Sequence, residues 1–83
     1  MKLRVTITQI FDLDAVEKEI EENENSRERP IWRRLLKEIK KVGYWKFFNR
    51  KTKNSLEYSV RKRFKMLLEL NMTYYTVNTE HED

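Results

Sequence analysis

An alternating segment at each end of the chain, with helical apolar spacing between them, predicts a small single-domain α+β fold in the order β-α-α-short element-α-β. The 83 residues and 10.3 kDa leave no room for a second hydrophobic core. Apolar content of 39% is near the lower edge for a folded domain, yet 12% aromatics separate the chain from disordered sequences. Within this one domain the sequence divides into an acidic strand-helix part (1–29), a basic helical part (30–79) and a polar tail (80–83) expected to fray.

Residues 2–8 alternate strictly, with Leu3, Val5 and Ile7 on one face and Lys2, Arg4, Thr6 and Thr8 on the other. Four of the seven, Val5, Thr6, Ile7 and Thr8, are β-branched, which predicts a half-buried strand. Asp14 followed by Glu17 reads as a capping box opening a helix, with Leu13, Val16 and Ile20 as its apolar stripe. Glu17, Glu19, Glu21, Glu22 and Glu24 then face water. The run from Asn23 to Arg29 holds no apolar residue and reads as a loop.

Pro30 suits the first turn of the next helix, where its missing N–H has no partner to lose. Ile31, Leu35, Leu36, Ile39 and Val42 follow at helical spacing, and Gly43 is the expected stop. Residues Tyr44 to Phe48 are too few for periodicity to separate a strand from a short helix, so both stay open. Phe47 and Phe48 are expected in the core, and Arg50 to Asn54 form a basic turn.

Ser55 is placed to cap the last helix, whose apolar face is Leu56, Val60, Phe64, Leu67 and Leu68. Tyr58, Arg61, Lys62 and Lys65 fall together on the opposite side of the wheel. Arg63 breaks the pattern, because it projects between Leu67 and Leu70; either its stem runs past the core or the helix is rotated. Asn71 is expected to end the helix in a left-handed conformation, and residues 72–79 alternate loosely as a strand. The two terminal strands have only each other to pair with, within the chain or across a dimer.

The charge is segregated. Lys and Arg number eighteen against fourteen Asp and Glu, for a net +4. Residues 1–29 carry −3, residues 30–65 carry thirteen basic groups against Glu38 and Glu57 for +11, and residues 66–83 carry −4. Such a concentration of positive charge repels itself unless a polyanion or the acidic flanks offset it.

Several chemistries lack their parts. There is no cysteine for disulfides or thiolate chemistry, and His81 is the single histidine, in the polar tail. One glycine excludes the glycine-rich phosphate loops. Asp12 and Asp14 are paired carboxylates, but at this spacing they read as helix caps. No catalytic residue, cofactor or metal ligand set is therefore expected. No apolar run approaches the roughly 20 residues of a membrane span. The alternating start lacks the apolar stretch of a secretory signal, so an intracellular, cytoplasmic protein without membrane contact is expected.

The basic segment is the functional lead. Its cations gather on one face of the last helix and in the turn before it, interleaved with Tyr44, Trp45 and Tyr58, a combination that suits sugar and base contact. About five phosphate contacts would make affinity fall with salt at a log–log slope of roughly −4 to −5.

Residues 31–79 resemble a winged helix-turn-helix DNA-binding domain. Trp32 to Gly43 look like its first helix, Tyr44 to Arg50 like the short second one, Ser59 to Met72 like the recognition helix and its exit, and Tyr74 to Asn78 like the first wing strand. The resemblance implies a non-catalytic, transcription-regulator-like protein that binds duplex DNA. Ser59, Arg61, Lys62 and Lys65 would approach the groove, Arg50, Lys51 and Lys53 would meet phosphates, and Tyr58 would support them. The sequence departs from that family in Asn71 where a glycine is usual, in an aromatic second helix, and in ending before a second wing strand. Homodimerisation is expected, since a chain this short buries a limited core and many DNA readers use two-fold sites.

Residues 3–42 also resemble a ribbon-helix-helix, in which strands pair across a dimer; this would give base reading to Lys2, Arg4 and Thr6 on strand 2–8. A third reading is a regulatory protein-binding module whose basic face meets an acidic partner, anchored by exposed Trp32 and Trp45.

Overall fold

A computed structural model describes residues 1–52 and 55–83. Its elements are β1 (Lys2–Phe11), α1 (Leu13–Glu21), α2 (Arg29–Val42), α3 (Tyr44–Phe48), α4 (Ser55–Leu70) and β2 (Met72–Glu82). β1 and β2 pair antiparallel as a two-stranded ribbon, and the four helices between them form a separate body.

The body holds the whole core. Val16 and Ile20 of α1, Trp32, Leu35, Leu36 and Ile39 of α2, Phe47 of α3, and Val60, Phe64 and Leu68 of α4 are buried. α1 and α2 each pack on α4, α1 packs on α2, and α3 is held against α2. The core stripes read from periodicity are therefore the ones that meet, with two exceptions. Trp32 is buried, tilted against Phe64 at 6.1 Å between ring centroids, and is no exposed anchor. Leu56 at the start of α4 is half exposed.

Local chemistry sets the ends of the helices. The cap of α1 is Asp12, not Asp14: its carboxylate accepts from the Ala15 N–H at 3.0 Å, and its own N–H donates to the Asn71 carbonyl at 2.8 Å. That second bond explains the choice, because it seats the helix start where the ribbon closes. The loop after α1 is built by asparagines: Asn23 accepts from the Asn25 N–H, and Asn25 accepts from the N–H groups of Arg27 and Glu28. Arg29 precedes Pro30 as the first residue of α2. Gly43 ends α2 at φ 85°, a region closed to most side chains, and the turn it permits lets α3 begin at the next residue. Residues 44–48 are thus a helical turn.

Ser55 is the first residue of α4 and not its cap. Asn71 closes α4 without the left-handed conformation expected of it, since no residue other than glycine has a positive φ among those described. Its side-chain N–H donates to the Leu67 carbonyl at 2.9 Å and its backbone N–H to Leu68 at 3.0 Å. A polar side chain able to reach back one turn does the work glycine does by conformation.

The ribbon is longer than the sequence suggested, and barer. It runs from the Lys2–Glu82 pair to Phe11–Met72, so residues 80–82 belong to the ladder and are not frayed. A bulge between Ile10 and Phe11 leaves Thr73 unpaired, its hydroxyl donating to the Ile10 carbonyl at 3.3 Å. The extra residue brings Met72 opposite Phe11, and Phe11 stacks on Tyr44 at 5.6 Å, which joins ribbon to body. Leu3, Val5 and Ile7 share one face as predicted, but that face packs on no described element: they stay 53–58% exposed, and no ribbon residue is buried. The projecting ribbon accounts for extents of 55 × 28 × 19 Å and a radius of gyration of 15.8 Å, against about 12 Å for a compact chain of this length. No described helix is long and apolar enough to cross a membrane.

Candidate nucleic-acid interface

Four of the five residues singled out on α4 converge with the end of α3 on one cleft. Phe47 is fully buried and packs its ring at 5.7 Å from Phe64, so the position of α3 on α4 is set by the core. Phe48, beside it at 4.8 Å and half-buried, is left to line the surface. The chain then turns through Asn49 to Thr52, and a cleft of about 420 Å³ opens between this turn, Phe48 and the first half of α4.

Six of the eight predicted residues line it: Arg50, Lys51, Tyr58, Arg61, Lys62 and Lys65. Ser59 is exposed on α4 and does not line the cleft. Lys53 lies outside the described residues.

The cations are not equivalent. Arg61 donates to the Phe47 carbonyl at the end of α3 and lies 4.6 Å over the Phe47 ring. It shares that carbonyl with the Arg50 N–H at 3.4 Å and braces the cleft wall, so part of its donor capacity is already used. Arg50 is paired with Glu38. Lys62 places its ammonium 5.5 Å from the Tyr58 ring centroid, and Lys65 does the same at 5.7 Å from Phe48. Among the described residues Lys51, Lys62 and Lys65 have no carboxylate within ion-pair distance. The cleft thus offers unneutralised ammonium groups above aromatic faces, a surface able to take a phosphate or carboxylate beside a flat ring.

Elsewhere the acidic flank meets the basic segment directly. Glu21 holds Arg33 through two bonds of 2.6 and 2.7 Å, and Glu17 lies 3.9 Å from Lys40. Glu28 takes both Nη groups of Arg63, at 2.7 and 2.8 Å, and Arg63 lies 5.9 Å over the Trp32 ring. The Arg33 hydrogen bonds hold the Glu21 carboxyl below its ordinary range, and those of Arg63 do the same for Glu28. Both arginines are raised in turn by their partners. The helix is not rotated: Arg63 runs out past the core at Trp32 and clamps α4 to the start of α2 through Glu28. Of the two acids inside the basic segment, Glu38 meets Arg50, while Glu57 pairs with Arg34 at 2.9 Å and accepts from Thr52.

Phe48, Asn49 and Thr52 line the cleft without having been singled out. Phe48 had been assigned to the core as one of an aromatic pair, and nothing in the sequence separates it from Phe47. Among the described residues no group of three or more His, Asp or Glu is placed to hold a metal ion. No family model, curated protein or solved structure matches the chain.

Proposed function

We propose that the protein is a non-catalytic nucleic-acid-binding module of the cytoplasm that holds duplex DNA along α4, in the manner of a transcription regulator. The observation that carries this reading is the concentration of Lys51, Lys62 and Lys65, without a carboxylate partner among the described residues, around Phe48 and Tyr58 in one cleft. Away from the cleft, Glu17, Glu21 and Glu28 pair with Lys40, Arg33 and Arg63, so part of the positive charge outside it is offset. Lys62 and Lys65 approach the backbone or groove edge, Lys51 and Arg50 meet phosphates from the turn, and Tyr58 packs on sugar or base. Arg61 supports this surface from behind.

The test is a salt titration of binding to a duplex of mixed sequence. Three to four phosphate contacts give a log–log slope of about −3 to −4, somewhat shallower than the full set of cations would produce. The absence of salt-sensitive retention at low ionic strength overturns the reading. Equal retention on polyglutamate, with the same slope, favours an acidic protein surface as the partner instead.

A further inference from the structure

The ribbon has one largely apolar face that no described element covers. Residues directly opposite in the ladder point to the same side, so Leu3, Val5 and Ile7 share a face with Val77 and Tyr75, with Gln9, Thr79 and His81 among them. The five apolar residues are 47–58% exposed. The other face carries Lys2, Arg4, Thr6 and Thr8 against Glu82, Glu80, Asn78 and Thr76, with Arg4 bonded to Glu82 at 3.0 Å, and turns apolar only at its base, where Ile10 faces Tyr74. Over its outer length one side is thus polar and the other largely apolar. The apolar side is continuous with the body at a groove of about 310 Å³ between Ile7, Phe11 and Trp45, and Trp45 is 73% exposed.

We infer that this face is the interface of a homodimer, in which the ribbons of two copies stack face to face about a two-fold axis. Three observations name a second copy as the occupant. Complete covering of the five half-exposed ribbon side chains and of Trp45 would remove at most on the order of 1,200 Å² from water over two copies, the lower end of stable specific interfaces. The charges of the ribbon cancel, Lys2 and Arg4 against Glu80 and Glu82, so stacking like on like meets no repulsion. A two-stranded ribbon is also at best marginally stable alone in water, and a second ribbon supplies the layer it lacks, about 10 Å away. In the antiparallel stack the tip of each ribbon, at Leu3, reaches the groove beside the other's Trp45. The two bodies then lie at opposite ends with their clefts exposed. This dimer does not depend on what the cleft binds.

The measurement is mass in solution by light scattering or sedimentation across a dilution series of the full chain. The wild type is expected at twice the 10.3 kDa chain mass, dissociating on dilution. Ile7→Glu, which buries a charge in the interface, is expected at the single mass with at least a tenfold weaker association. Thr6→Glu, on the opposite face, is expected to remain dimeric. Far-ultraviolet dichroism checks that the helical body persists in each variant; its buried residues include none from the ribbon. A wild type at the single mass at every concentration to its solubility limit overturns the inference. So does a dimer that survives Ile7→Glu, or one that Thr6→Glu abolishes equally.

Discussion

The body and the ribbon are built from similar apolar residues and differ in what those residues touch. In the body, ten side chains are buried where the stripes of four helices meet. In the ribbon, Leu3, Val5, Ile7, Tyr75 and Val77 are as regularly patterned, yet about half of each remains in water. Amphipathic order makes a core only where a second layer arrives. The body supplies its own layers; a ribbon of two strands cannot, because both strands belong to the same sheet.

The largest effect that separates the two regions is a truncation on each side. Phe64→Ala opens a cavity at the meeting point of Trp32, Phe47 and α4 and is expected to cost about 3–5 kcal/mol, enough to unfold much of the protein. Val5→Ala on the ribbon is expected to cost the helical body less than about 0.5 kcal/mol in chemical denaturation followed by dichroism. Equal losses would mean that ribbon and body fold as one packed unit.

A second comparison lies between the two sides of the body. Replacing Lys62 and Lys65 with Glu is expected to reduce duplex retention by about 100-fold or more at low salt and to flatten the salt slope by about 2. The thermal midpoint should hardly move, because both side chains are exposed and without carboxylate partners among the described residues.

Asp12 joins the regions. Asp12→Ala removes the α1 cap and is expected to cost about 1 kcal/mol, a fall of about 4–8 °C in the thermal midpoint for a domain of this size. Asp12→Asn, which keeps an acceptor at the cap, should recover most of it.

The smallest effect is a pH dependence confined to the paired side. The Arg63 hydrogen bonds lower the Glu28 carboxyl, and those of Arg33 lower Glu21. Their contribution is fully present above the ordinary carboxylate range and is lost as pH falls through the depressed folded values. Acid titration of the thermal midpoint should therefore decline below about pH 4.5, and Glu28→Gln should make that decline shallower.

Much of the body was legible because helical spacing is a local property. The stripes of α1, α2 and α4, the stop at Gly43 and the asparagine-rich loop all follow from residues within a turn or two of one another. Asp12 displaced Asp14 as the cap because its N–H meets Asn71, a partner 59 positions away along the chain. Arg63 looked anomalous on its own helix because its partner, Glu28, precedes α2. For the same reason Trp32 read as an exposed anchor: the Phe64 that covers it lies on another element.

The cleft divides in the same way. That Tyr58, Arg61, Lys62 and Lys65 share a face is a consequence of the 100° step of a helix, and it was readable from their spacing. That Arg61 is turned to the Phe47 carbonyl while Lys62 and Lys65 meet rings and, among the described residues, no carboxylate was not, because it depends on where α3 comes to rest. By itself the sequence determined the α+β order, the faces of each element and the segregation of a strongly positive middle between acidic ends. The tertiary structure alone decided which acids reach which cations, and which apolar face finds a covering layer. Periodicity belongs to single elements, whereas neutralisation and burial belong to pairs of elements brought within a few ångströms of each other.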